Sequence, residues 1–206
     1  MSRRLILLRH GQTGFNAESR MQGQLDTDLT DLGRAGASAA ADMLVDANIS
    51  RIISSDLTRA AETAQAVSDR LGVPVTHDAR LRETHLGDWQ GLTHAEVDSQ
   101  YPGSRDAWRA NASWAPPQGE SRIDVARRAR PVVAELEADE SWQDSAILLV
   151  AHGGTIAALT GNLLGFDVSM YPLLTNLDNT HFGVLDTRAN QPGWFLKGWN
   201  VGEVAW

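Results

Sequence analysis

The chain has 206 residues, 42% of them hydrophobic, a formal net charge of −8 and no cysteine. That length allows one large domain burying roughly 70% of its unfolded surface. The absence of cysteine excludes disulfides, thiolate zinc sites and a cysteine nucleophile, and an acidic balance without a basic stripe argues against a nucleic-acid partner.

Taken in order, the first element is Leu5-Ile6-Leu7-Leu8, a buried strand predicted over 4–9. It runs into Arg9-His10-Gly11-Gln12. A histidine at a strand end, between an arginine and a glycine, suits a nucleophile held against an anion. Arginine meets phosphate with a planar fork of donors, and glycine lets backbone N–H groups approach the ligand. An ordinary strand-to-turn junction is the alternative for that tetrapeptide alone. Arg3-Arg4 ahead of the apolar run does not make an export signal, because the run is short and Arg9 interrupts it. Apolar runs of about six residues fall far short of a membrane span, so a cytoplasmic protein with no membrane partner is expected.

A helix is predicted over 30–46, a strand over 51–54 and a helix over 56–71, with Ser54, Ser55 and Asp56 as candidate caps. Arg59 then falls in the first or second turn, where a helix N-terminus already favours anions. The alternative is a solvated helix arginine. A strand over 73–76 precedes a loop-rich middle, 83–120, with short helices. Two glycines and a tryptophan within 81–91 suggest a shaped loop. Glu83 lies in it, and a carboxyl in a partly desolvated pocket there would have a raised pKa and could protonate a leaving oxygen; a surface glutamate is the alternative.

A further helix starts near Ser121, with Asp124 completing a capping-box variant. Val125, Val132, Val133 and Leu136 fit helical spacing, Pro131 should bend the helix, and Arg127, Arg128 and Arg130 read as its solvated face. A strand over 146–151 leads into His152, Gly153, Gly154 and a helix over 154–164, repeating the strand–histidine–glycine order around His10. Two strands near 182–187 and 194–199 close the chain. Alternating strands and helices imply an α/β fold, a three-layer αβα sandwich with a mainly parallel central sheet. Both histidines would then face the crevice at the carboxyl ends of the strands. The expected organisation is a single domain, 1–206, with 83–120 inserted as a lid. No Gly-x-x-x-x-Gly-Lys loop and no Gly-x-Ser-x-Gly elbow is present, which disfavours a P-loop enzyme and a serine hydrolase.

Four blocks carry a family resemblance. Arg9-His10-Gly11-Gln12-Thr13, Ser54-Ser55-Asp56-Leu57-x-Arg59-Ala60-x-x-Thr63-Ala64, Glu83-x-x-x-Gly87-x-Trp89-Gln90-Gly91 and Val150-Ala151-His152-Gly153-Gly154 resemble the histidine phosphatase superfamily, also called phosphoglycerate-mutase-like. They occur in the family's order and span essentially the whole chain. Leu29-Thr30-x-x-Gly33 looks like the opening of the family's first helix, although Gly36 stands where a glutamine is usual. The resemblance implies phosphoryl transfer through a phosphohistidine. His10 would attack phosphorus, with its other ring nitrogen held by a partner such as a backbone carbonyl. Arg9, Arg59 and His152 would bind the phosphoryl oxygens. Glu83 would protonate the leaving alcohol and then activate the water that attacks the phosphohistidine. Asn16, Gln22, Gly23 and Gly153 match positions on the phosphate or substrate side, and His85 is a candidate pocket residue beside Glu83. The resemblance implies no metal and no cofactor, and leans toward a homodimer.

Mutases of this family usually carry a longer, basic insertion before the second histidine. Here 68 residues separate Glu83 and His152, with Arg105, Arg109 and Arg122 but no lysine, which favours hydrolysis. Residues 81–95, Trp108-Arg109, Trp114-Ala115-Pro116, 119–122, 21–27 and Trp194-x-Leu196-x-x-Trp199-Asn200 resemble, within the family, a phosphatase for a sugar–glycerate phosphate. The implied partner is therefore a small phosphorylated metabolite. Trp89, Trp108 and Trp114 offer flat faces to a sugar ring, or else pack the lid. The alternatives are a broad-specificity small-molecule phosphatase, a phosphoglycerate mutase and a non-catalytic phospho-ligand-binding protein.

Overall fold

A computed structural model describes residues 3–189 and 191–202. Among these, six strands form one sheet: β1 (Arg4–Arg9), β2 (Ile49–Ser54), β3 (Val75–His77), β4 (Ala146–Ala151), β5 (Phe182–Arg188) and β6 (Gln191–Val201). Their order is β3-β2-β4-β1-β5-β6. The first four are mutually parallel, and β5 and β6 add an antiparallel edge. The expected mainly parallel sheet is therefore present, with an antiparallel hairpin on one side.

The centre of the sheet follows from sequence. Every residue of β4, Ala146-Ile147-Leu148-Leu149-Val150-Ala151, is buried, as expected for a strand covered on both faces. Side-chain alternation divides the strands between two cores. Leu5, Leu7, Ile147 and Leu149 pack under α6 (Arg122–Ala138) and α7 (Gly153–Leu163), whereas Ile6, Leu8, Leu148 and Val150 pack against α2 (Asp31–Met43) and α3 (Thr58–Leu71); the shorter helices α1 (Gly14–Ala17), α4 (His94–Gln100) and α5 (Ser104–Ala110) lie in the connections. This is the three-layer sandwich the pattern implied. Ser121 caps α6 and Asp124 completes the capping box, as the sequence suggests. The helix continues across Pro131 to Ala138.

Two local expectations need correction. Ser54, Ser55 and Asp56 do not cap α3; its N-cap is Leu57, and the Thr58 N–H donates to the Asp26 carboxylate at 2.8 Å. A cap contributed by a residue 32 positions away leaves no local sequence signal. Arg128, placed on a solvated face with Arg127 and Arg130, instead turns inward along α6. Arg127 alone of the three is well exposed, at 77% against 22% for Arg128.

One close approach sets the loop after β1. A Cβ on Gly33, in the first turn of α2, would lie 2.1 Å from the Gln12 carbonyl oxygen, and one on Gly11 would lie 2.4 Å from the Gly33 carbonyl oxygen. Backbone therefore meets backbone, and the Thr30 N–H donates to Gln12 O at 2.9 Å across the same contact. Gly36 faces Thr180, whose N–H in turn reaches the carbonyls of Arg9 and His10. Gly33→Ala should cost about 1–3 kcal/mol by forcing these segments apart. Gly14→Ala, where a Cβ meets nothing within 4 Å, should be near neutral. Urea denaturation of the two variants checks the contrast.

Candidate active site

The register of three adjacent strands builds the site. Arg9 pairs with Ala151 and Ser54 pairs with Val150, so the residues immediately after β1, β2 and β4 emerge side by side. The His10 N–H donates to Ala151 O at 3.0 Å, and the Ser55 N–H to Val150 O at 2.9 Å. The rings of His10 and His152 lie 5.0 Å apart between centroids, tilted by 57°, and both are buried.

The two imidazoles are held differently. His10 Nδ1 lies 2.7 Å from the Gly11 carbonyl, which can only accept, so Nδ1 carries the proton. Nε2 is then the free base, and Arg59 Nε–H donates to it at 3.3 Å. The expected backbone carbonyl partner is thus Gly11 O. His152 Nε2 lies 2.9 Å from Ser55 Oγ, while its Nδ1 is buried with no partner among the described residues. The Leu57 N–H donates to Ser55 Oγ, and the Ser55 hydroxyl can give its own proton to His152 Nε2. In that arrangement Nδ1–H of His152 is an unspent donor. Burial, followed by the positive charge of Arg59, pushes both histidines well below the ordinary 6.5.

Arg59 is fully buried. It donates to Gly23 O at 2.7 Å and Leu25 O at 2.9 Å, and burial pushes it down to about 10. Gly23 has φ +56°, and a Cβ there would collide with Gln90, so only glycine presents this carbonyl comfortably. Arg9 donates to Leu177 O, and its Nε is buried without a partner among the described residues. Neither guanidinium has an ion-pair partner among the described residues, although both feel the charge of Glu83. Arg82, by contrast, is committed to Asp56 by two bonds of 2.7 and 2.6 Å. Buried cations without carboxylates are costly, so this cluster is complementary to an oxyanion.

Glu83 sits at the N-terminus of α7. Its carboxylate accepts from the N–H groups of Thr84 at 2.7 Å and of Gly154 and Thr155 at 3.1 Å each. A Cβ on Gly154 would lie 2.6 Å from Glu83 Oε1. The half-buried carboxyl therefore sits in a polar nest of backbone donors. Gly153 is buried against Asn176.

Asn16 and Gln22 converge on Thr13. Asn16 Oδ1 accepts from Thr13 N and Oγ1, both at 3.1 Å, and Gln22 Oε1 accepts from Thr13 Oγ1 at 3.2 Å. Asn179, which sequence reading missed, donates through Nδ2 to His10 O at 3.0 Å and Asn16 Oδ1 at 3.2 Å. It lies in an irregular stretch before β5, where nothing local marks it. His85 is not brought to the histidine pair by any bond: its Nδ1 lies by Gln118 O at 3.1 Å and accepts from the Gly87 N–H. His94 is half-buried beside Arg105 and Arg109. Trp89 is fully buried, with Trp114, Trp108 and Tyr101 at ring-centroid distances of 5.4, 6.0 and 6.3 Å. It is a core residue of the middle segment and offers no sugar face. Arg122 stacks on Trp108, 5.1 Å from its ring. No group of three or more His, Cys, Asp or Glu among the described residues is placed to hold a metal ion, and no described helix is long and apolar enough to cross a membrane.

A family model described as Histidine phosphatase superfamily (branch 1) matches residues 5–202. A glucosyl-3-phosphoglycerate phosphatase of Mycolicibacterium vanbaalenii is 55% identical, over 97% of this chain and 95% of that protein. A 2,3-bisphosphoglycerate-dependent phosphoglycerate mutase of Gloeobacter violaceus is 37% identical, over 75% and 73%. Among solved structures, a mycobacterial glucosyl-3-phosphoglycerate phosphatase complexed with VO3 superposes with a TM-score of 0.93 at 51% identity, covering 97% of this chain and all of that one.

Two outcomes follow from the geometry. Inorganic phosphate should raise the melting temperature of the wild type, and Arg59→Ala should abolish that rise in a thermal-shift titration. Stability should also fall as pH drops below about 6.5, because the unfolded chain binds protons that His10 and His152 refuse in the fold. The slope should approach about 1.4 kcal/mol per pH unit for each histidine. Urea midpoints between pH 7 and 5 test this, and replacing both histidines with asparagine should flatten the His-linked part of the slope.

Proposed function

The chain belongs to the histidine phosphatase superfamily, and on that premise we propose that it hydrolyses glucosyl-3-phosphoglycerate to glucosylglycerate and phosphate. The observation that carries the chemistry is the His10 tautomer, with Nδ1–H spent on Gly11 O and Nε2 turned toward Arg59. Nε2 attacks phosphorus in line with the leaving oxygen. Arg9, Arg59 and the Nδ1–H of His152 take the equatorial oxygens, replacing with an oxyanion the counter-charge the protein itself does not supply. Glu83 gives a proton to the leaving glycerate oxygen. The alcohol departs, and Glu83 then takes a proton from the water that attacks phosphohistidine. His10 is released neutral and phosphate leaves.

The substrate rests on similarity across nearly the full length of the mycobacterial phosphatases, including the middle segment. We assign residues 83–120 to a lid whose tryptophan-filled interior holds its shape over the sugar side of the site, with Asn16, Gln22 and Gly23 lining the phosphate side. Phosphate release from glucosyl-3-phosphoglycerate, 3-phosphoglycerate and an aryl phosphate, compared by kcat/KM, tests the reading. A preference of at least 100-fold for the glucosyl compound is expected, a difference of about 2.7 kcal/mol in transition-state binding. Comparable rates on all three would reduce the assignment to a general phosphomonoesterase. Glu83→Gln should slow the glycerate ester by roughly 100- to 10,000-fold. It should leave the rate of the first phosphoryl transfer from the aryl ester, whose leaving group needs no proton, nearly unchanged.

A further inference from the structure

The segment that presents Glu83 is irregular. From Arg82 to Leu86 it belongs to neither helix nor strand, lying between two short 3₁₀ turns at Ala79–Leu81 and Gly87–Trp89. Loops of this kind fix a side chain to within a fraction of an ångström only if their backbone groups are tied elsewhere. Arg128 does the tying. Its NH1 donates to Arg80 O at 2.7 Å and Arg82 O at 3.0 Å, its NH2 to Glu83 O at 3.3 Å, and its Nε and NH2 to the two oxygens of Glu120 at 2.9 Å each. All five guanidinium hydrogens are thereby used, three of them on carbonyls of the stretch ending at Glu83. Glu120 completes the other side: Oε2 accepts from the His85 N–H and its own N–H donates to His85 O, both at 2.8 Å. Glu83 is bracketed between these two sets of bonds.

We infer that Arg128, with Glu120, is a positioning residue for the general acid–base: it clamps the Arg80–His85 backbone so that the Glu83 carboxyl faces the leaving oxygen. The fork is what matters. A lysine has three donors on one point and cannot span three carbonyls while pairing both oxygens of a carboxylate. The Glu120 carboxyl, although burial opposes its charge, is held below the ordinary glutamate range by Arg128 and the His85 N–H, so the clamp stays ionised at neutral pH. The inference rests on the assignment of Glu83 as the proton donor.

The test combines leaving-group dependence with a double-mutant cycle. Arg128→Ala should lower kcat on glucosyl-3-phosphoglycerate roughly 10- to 100-fold, with KM within 3-fold and the phosphate-induced thermal shift retained. The burst of phosphoenzyme formation from an aryl phosphate should change less than 3-fold. In the Glu83→Gln background the same substitution should cost nothing further, because its target is already gone. Arg128→Lys, which keeps the charge near His152, should fail to restore kcat and serves as the folded stand-in should Arg128→Ala not fold. Losses that multiply in the double variant, an equal loss in the aryl burst, or full rescue by Arg128→Lys would each overturn the inference. If Glu83→Gln alone shows no leaving-group dependence, the acid–base assignment fails and not the clamp.

Discussion

Two guanidinium groups, Arg59 buried and Arg9 half-buried, with no carboxylate ion-paired to either among the described residues, stand at the carboxyl ends of β1, β2 and β4, and the rest of the molecule is arranged around them. A lone buried cation is expensive. The fold holds Arg59 by backbone carbonyls of Gly23 and Leu25 and by the lone pair of His10. These groups orient it without cancelling its charge. The histidines beside it remain neutral because they are buried and because protonating either would add a third positive charge to the site. Glu83, the acid nearest enough to be felt by both arginines, is turned to the N–H groups of α7 and so is kept out of an ion pair. The charge is left for a ligand.

This arrangement makes stability and function pull in opposite directions. Pairing Arg59 with a carboxylate would relieve the fold and ruin the site. The cost is borne by the two well-packed cores on either side of the sheet and by close backbone contacts such as Gly11 with Gly33. The middle segment contributes its own small core around Trp89, so that the loop carrying Glu83 is anchored on both flanks.

The strand–histidine–glycine repeats were legible because they are local: an apolar run fixes the strand, and a histidine one residue past its end must face the crevice. The layer order and the α6 capping box were legible for the same reason. What could not be read were groups whose roles are set by distant partners. Asp26 caps α3 across 32 residues, and Arg82 is spent on Asp56. Asn179 supports the His10 carbonyl from a stretch without pattern. Arg128 reads as one of three solvated arginines because helical periodicity places a side chain on a face but says nothing of carbonyls a loop brings to that face. Two of the three N–H donors around Glu83 leave no local signal, because they come from the N-terminus of α7, a helix that begins 70 residues later in the chain.

The central claim is that His10 Nε2 becomes phosphorylated, and rapid acid-free quench of the enzyme during turnover tests it most directly. Wild-type protein mixed with a labelled phosphoester should carry an acid-labile, base-stable phosphoryl group, assigned by peptide mass spectrometry to His10, and His10→Ala should carry none. Label found on another residue, or full wild-type turnover with no phosphoenzyme trapped in either the wild type or Glu83→Gln, would contradict the account.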